Sequence, residues 1–182
     1  MGNDREDLRP REAAPLTLEA LYREHFDFVW RMAARIGGPV IDAEDAAQEV
    51  FLIVARKLDT FDGTSLVTTW LYGITLNVVR GLRRRHRIRT LFERDEKSPE
   101  PAVQSVDRAE VAEAHRIAYQ ILDKINPKKR EAFILAEFEG LSCEEIGKIV
   151  GAPTETVWSR LHYARKEFEQ RLEARRSKDK IK

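Results

Sequence analysis

The sequence predicts an all-α protein built from two small helical domains joined by a flexible linker. Three observations carry this expectation. Apolar residues recur at helical spacing nearly throughout, and no stretch alternates cleanly enough to form a strand. That periodicity gives way between 90 and 106 to a polar, proline-punctuated stretch containing Lys97, Ser98, Pro99, Glu100 and Pro101. A chain of 182 residues is long enough for one ordinary domain or two small ones. The first unit is expected over 16–89, with breaks at Gly37-Gly38-Pro39 and around Asp62-Gly63-Thr64-Ser65, and the second over 107–176. Residues 1–15 read as a mobile lead-in and 177–182 as a basic, frayed tail.

Charge gives direction through its distribution, since Lys and Arg total 32 against 31 Asp and Glu. Six arginines and no acid lie between Arg80 and Arg89, whereas Asp42 to Glu49 holds four acids and no base. A chain polarised in this way is expected to meet two partners of opposite character. The single Cys143 excludes an internal disulfide and a cysteine cluster for zinc, and no cofactor is expected. No apolar run approaches the roughly 20 residues that cross a bilayer, so no membrane insertion is expected. The charged start lacks the apolar core of a signal peptide, and a cytoplasmic protein is the plain expectation.

In the helix opened by Asp42, a side chain suited to capping, Asp45 places negative charge where the helix dipole favours it. At about 100° per residue, Ala46, Ala47, Val50, Val54 and Leu58 form the core side. Asp45, Gln48, Glu49, Leu52 and Arg56 gather on the other. A leucine among charges suits a docking surface with an apolar anchor and a charged rim. A solvated face with one stray Leu fits the pattern equally well.

The next helix, from Thr69 to about Arg87, carries two stripes. Leu71, Ile74, Val78 and Leu82 form a core stripe, while Trp70, Gly73, Asn77, Arg80 and Arg84 line up beside it at spacings of three, four, three and four. The second stripe offers a ring for base stacking, an amide for base edges and arginines for phosphates. Trp70 taken alone is better read as a core residue, because Trp is usually buried. The arginine run, Arg83 included, is harder to dismiss, since such density repels itself without an anion nearby. Gly73 is expected to admit the close approach of another backbone; Gly81 has no evident reason.

The most specific local signal runs from Leu141 to Leu161. Ser142 and Glu145 form a capping box, Gly147 is small where a second helix must cross, and Gly151 supplies the left-handed residue of a sharp turn. Pro153 ends the turn and Thr154 is expected to cap the next helix. Val157, Leu161, Ala164 and Phe168 form its buried stripe, leaving Glu155, Trp158, Ser159 and His162 outward on the N-terminal half that enters the major groove in a helix-turn-helix. Arg160 and Arg165 flank it, suited to phosphates. An ordinary helical hairpin shares the capping box but has less need of both glycines and the outward polar set.

With these motifs the sequence resembles the sigma-70 family, specifically the small extracytoplasmic-function (ECF) sigma factors that keep only regions 2 and 4. The resemblance covers nearly everything from Leu21 to Leu172. In region 2 it rests on Asp42 to Phe51 (DAEDAAQEVF), Trp70 to Asn77 (WLYGITLN) and the arginines that follow. In region 4 it rests on Lys129 to Phe133 (KREAF), Glu139 to Ser142 (EGLS), Glu144 to Gly147 (EEIG) and Thr156 to Leu161 (TVWSRL). The resemblance implies that Asp45, Gln48, Glu49 and Leu52, with Arg56 at the rim, dock on core RNA polymerase. It implies that the loop from Asp62 to Thr68, including Gly63, Thr64 and Ser65, captures −10 bases together with Asn77. The helix from Thr154 to Arg165 would read the −35 element, and the linker would thread near the RNA exit path. Members of the family are often held inactive by an anti-sigma factor, so such a partner is expected beside promoter DNA and the polymerase.

Three departures stand out: Gly81 where the family commonly has an acid, Trp158 where it commonly has a basic residue, and Cys143 in place of a bulky side chain. Promoter sequence therefore does not carry over. Cys143 reads as a structural thiol. A response-regulator activator would need a receiver or ligand domain upstream, and residues 16–89 resemble neither. An enzyme would need a constellation, and His25, His86, His115 and His162 are scattered without ligand spacing, nucleophile elbow or phosphate loop. A helical adaptor would explain the acidic face but not the arginine stripe.

Overall fold

The structure, a computed structural model, describes residues 16–92 and 106–179, with side chains over 16–92 and 113–178. The lead-in 1–15, linker residues 93–105 and tail residues 180–182 lie outside the described residues. Among the described residues seven α-helices follow in order: α1 Leu18–Gly37, α2 Ala43–Lys57, α3 Val67–Phe92, α4 Val106–Leu122, α5 Pro127–Glu137, α6 Cys143–Val150 and α7 Thr154–Asp179. Among the described residues there is no strand. Three boundaries shift from expectation, Val106 already opening α4. Thr90 to Phe92 continue α3 and Ser177 to Asp179 continue α7, because neither stretch contains a glycine or proline to stop a helix.

The first unit is a three-helix bundle. Leu21 and Val29 of α1, Val50, Phe51 and Val54 of α2, and Leu71, Ile74 and Val78 of α3 pack into one core. Asp42 caps α2 as expected, accepting from the amides of Glu44 at 2.8 Å and Asp45 at 3.1 Å. The break at Gly37-Gly38-Pro39 becomes a short 3-10 turn over Gly38–Val40.

In the second unit, α5 opens on Pro127 with Asn126 as its cap, and α6 carries the capping box in full. Ser142 Oγ accepts from the Glu145 amide at 3.2 Å, and the Glu145 carboxylate accepts from the Ser142 amide at 2.8 Å. Ser142→Ala is therefore expected to cost about 1 kcal/mol, read as a shift of the urea midpoint; an unchanged midpoint would remove the cap from the account. Gly151 is left-handed at φ 65°, and Val157, Leu161 and Ala164 are buried on α7 with Phe168 packed beside them.

The two units pack against each other, an arrangement the tethered reading of the sequence does not contain. One core cluster runs across the boundary, joining Met32, Ile36, Tyr72, Leu76 and Val79 to Tyr119, Leu122, Phe133 and Ile146. Polar side chains then cross-link it. Tyr119 donates its hydroxyl to the Arg35 carbonyl, and Tyr72 donates to Glu139 at 3.1 Å. Burial pushes the Tyr119 hydroxyl up to about 12. Tyr72 is raised too, by burial first and then by the Glu139 carboxylate. Both therefore stay protonated and keep donating at any physiological pH.

Arg35 reaches Glu139 and the Phe138 carbonyl, each at 2.8 Å. Arg80 makes a two-pronged contact with the Glu131 carboxylate at 2.8 and 2.6 Å, and Arg83 binds Asp123 and the Gly37 carbonyl. Gly38 sits against Tyr119 at φ +64°, where a Cβ would stand 2.6 Å from the ring. Only glycine accommodates both that backbone and that contact.

Candidate functional site

The outer face of α2 is arranged as the sequence suggested. Asp45, Gln48, Leu52 and Arg56 are exposed, and Leu52 keeps 59% of its surface. Glu49 is half-buried, its carboxylate taking both oxygens to Arg85 at 3.2 Å. Sequence reasoning missed what lies alongside. Leu18 and Tyr22 of α1 join Gln48, Phe51, Leu52 and Ala55 in an apolar groove of about 620 Å³. The i, i+4 spacing of Leu18 and Tyr22 was the available signal. Leu52 is thus part of a continuous apolar surface, not a stray residue.

The loop before α3 is locally organised. Asp62 accepts from the Thr64 amide at 3.0 Å and its hydroxyl at 2.7 Å, and Gly63 turns the chain at φ 70°. Those bonds, the backbone one first, lower the Asp62 carboxyl below its ordinary value. Trp70 is half-buried, its ring 4.9 Å from that of Phe61, a partner the stripe did not disclose. Trp70 packs against the bundle core and also lines a cleft.

That cleft, about 670 Å³, brings together Thr64, Ser65, Trp70, Gly73 and Asn77. Its far wall is Glu145, Lys148 and Ile149 of α6. Gly73 corrects an expectation, because no heavy atom lies within 4 Å of where its Cβ would stand. It keeps the cleft open beside Trp70 and admits no close backbone. Asn77 accepts from Arg80 at 3.3 Å, while Arg80 is committed mainly to Glu131.

Arg83 is likewise engaged with the second unit, and Arg84 is exposed. Arg80, Arg83 and Arg84, expected to contact −10 DNA, share one interdomain cavity with Arg160 of α7, expected to flank the −35 contact, so the two sets face the same space. Asp123 and Glu131, their partners from α4 to α5, were missed because periodicity marks them only as polar positions on another domain.

On the helix-turn-helix, Glu155 and His162 are exposed, Ser159 and Arg160 are half-buried, and Trp158 keeps 64% of its surface. The Trp158 and His162 rings stack in parallel at 5.6 Å with a 6° tilt, giving a flat aromatic plate on the outer side of α7. Thr154 is the first helical residue and not the cap, since the Val157 amide donates to the Pro153 carbonyl at 3.1 Å. Gly147 meets the Ala152 carbonyl of the turn, 2.7 Å from where a Cβ would sit, and it is this carbonyl that excludes a side chain. Arg165 pairs with Glu137 at 2.6 Å on the rim of the unit. Cys143 is half-buried against the core. No cluster of potential metal ligands occurs among the described residues, and no described helix is long and apolar enough to cross a membrane.

Comparison with known proteins places both units. Residues 21–88 match the Sigma-70 region 2 family and residues 115–168 match the Sigma-70, region 4 family. The chain is 35% identical over 170 residues to the ECF RNA polymerase sigma factor SigE of Mycolicibacterium smegmatis, covering 88% of this chain and 63% of that protein. It is 32% identical over 142 residues to the RNA polymerase sigma-H factor of Pseudomonas aeruginosa, covering 72% of this chain and 74% of the relative. Among solved structures it resembles CnrH in complex with the cytosolic domain of CnrY, with 26% identity, a TM-score of 0.62 and coverage of 86% and 88% of the two chains. The sigma factor RpoE of Bartonella quintana, solved with the anti-sigma factor NepR, shares the fold at a TM-score of 0.64 and 22% identity, over 85% of this chain and 96% of that one. Two ordered helical units matching regions 2 and 4, and relatives aligned along most of the chain, identify it as a member of the sigma-70 family, among the ECF RNA polymerase sigma factors.

Proposed function

We propose that the chain is a promoter-specificity subunit that binds core RNA polymerase, recognises −35 and −10 elements and promotes DNA melting, without catalysing a reaction itself. The observation that carries this reading is the helix-turn-helix, whose left-handed turn at Gly151 leaves the polar N-terminal half of α7 facing outward. Residues 107–176 read the −35 element with Thr154, Glu155, Trp158, Ser159 and His162, and with Arg160 and Arg165 toward phosphates. Residues 16–89 dock on polymerase through Asp45, Gln48, Glu49, Leu52 and Arg56. The same unit takes −10 bases into the cleft bounded by the 62–65 loop, Trp70 and Asn77. Removing a base from its stack costs a few kcal/mol, and the half-buried Trp70 ring offers a stacking surface to offset it.

Because α6 walls that cleft and Glu131 holds Arg80, DNA entry requires the two units to part. Core polymerase, which engages both units at separated places, would supply the free energy. The protein acts in the cytoplasm, where its polymerase and DNA are. An anti-sigma partner is proposed as well, supported by the family resemblance and by the bound CnrY segment in the CnrH complex.

Two substitutions test the assignment. Glu49→Lys places a second cation beside Arg85 on an exposed pair, where like-charge contacts cost well under about 1 kcal/mol. The fold is therefore expected to survive while affinity for core polymerase falls; unchanged affinity would take α2 out of the interface. Asn77→Ala is expected to slow open-complex formation and leave polymerase affinity intact, and equal loss of both would make Asn77 structural.

A further inference from the structure

In the packed state the cavity between the two units has a charge imbalance, although Arg80, Arg83, Arg84 and Arg160 are assigned to DNA once the units part. It measures about 760 Å³, within the range of small-molecule sites. Seven cationic side chains line it against two carboxylates. Those carboxylates, Asp123 and Glu131, already serve Arg83, Arg130 and Arg80. Among the described residues, Arg84, Arg87, Lys128 and Arg160 show no ion pair, although all four face the same space.

Arg130 is the telling group. It keeps 7% of its surface, its Nη1 reaches Asp123 at a long 3.3 Å, and its Nε is buried with no hydrogen-bond partner. A buried, unsatisfied guanidinium nitrogen is costly. The Arg130 guanidinium is pulled below its ordinary value by burial first and by Arg83 next, with Arg87 adding to the same effect. The amino end of α5, at Pro127 and Lys128, also opens on the cavity and adds the positive end of a helix dipole.

We propose that this interdomain cavity is a binding site for a compact polyphosphate, either a phosphoanhydride chain or a nucleoside polyphosphate, which locks the two units together. Guanidinium forks from both sides match phosphate oxygens. A ligand must carry several charges on few atoms to balance the site, which a single carboxylate or orthophosphate does not. The cavity is too small for a nucleic-acid duplex and closes only when the units are packed. A ligand that binds this closed state alone stabilises it by mass action and so opposes promoter entry. The binding site rests on geometry, whereas its effect on transcription rests on the sigma assignment.

The test is calorimetric titration of the full chain with sodium tripolyphosphate, ATP and orthophosphate at matched ionic strength. The expected result is one saturable tripolyphosphate per chain, no comparable binding of orthophosphate, and a loss of at least roughly tenfold in affinity in Lys128→Ala/Arg87→Ala. The control pair Arg176→Ala/Lys178→Ala, on the exposed end of α7, should bind as the parent does. Tighter binding of ATP would identify a nucleotide as the ligand class, and equal binding a bare phosphate chain; either supports the site. No saturable binding, or equal loss in the control pair, would overturn it. Tripolyphosphate should also inhibit open-complex formation by the parent more than by Lys128→Ala/Arg87→Ala. Binding with equal inhibition of both would leave the site standing and remove its link to promoter entry.

Discussion

Replacing Arg80 by Met is expected to release the second helical unit from the first. The Glu131 carboxylate retains 6% of its side-chain surface and accepts both prongs of the Arg80 guanidinium. Removing one partner of a buried pair costs about 3–5 kcal/mol, because the other charge is left desolvated. Arg80 is 40% exposed, which places the cost at or below the lower end of that range. The molecule also has an escape. If the units part, Glu131 regains water, so the penalty cannot exceed the free energy that holds them together.

Small-angle scattering should therefore show a larger radius of gyration for Arg80→Met with helix content unchanged. Glu131→Gln should open the pair less, since a neutral amide is cheaper to leave buried than a carboxylate. It also frees Arg80, so its affinity for single-stranded −10 DNA should rise above that of the parent. A parent-like radius for both variants would show that this pair does not hold the units closed.

Gly147→Val is expected to cost roughly 1–3 kcal/mol through overpacking and to impair −35 recognition more than stability. The contact is with backbone. A Cβ at 147 would stand 2.7 Å from the Ala152 carbonyl, and the Ala152 amide in turn donates to the Gly147 carbonyl at 3.0 Å. Neither side can yield without changing the turn that sets α7 relative to α6. Gly147→Ala meets the same carbonyl but gains about 1 kcal/mol of helix propensity, so its net effect on stability should be smaller. Both should weaken binding to a −35 duplex, because the recognition helix is re-aimed in each. Full duplex affinity in Gly147→Val would show that the turn absorbs the side chain.

The sequence made the helical periodicity, the caps at Asp42 and Ser142 and the core faces of α2, α3 and α7 legible because each rests on a local rule. Asp42, Ser142 with Glu145, and Gly151 act on backbone groups within a few residues, and Val157, Leu161 and Ala164 follow a period of 3.6. The packing of one unit on the other was not legible. It depends on Arg80 meeting Glu131, Arg83 meeting Asp123 and Tyr72 meeting Glu139, pairs separated by 51, 40 and 67 residues. Each appears in the chain only as a polar position. Gly73 was misread for a related reason, since a glycine that opens a cleft and one that admits a backbone look alike in sequence. The arginine run stood out in the sequence, but its engagement by the second unit did not.

The most direct test of the central claim is in vitro transcription with purified core polymerase, using the upstream region of the chain's own gene as template. A discrete start site is expected only when the chain is added, and its loss is expected in Asn77→Ala despite normal polymerase binding. A chain that neither retains core polymerase nor directs a start would contradict that claim.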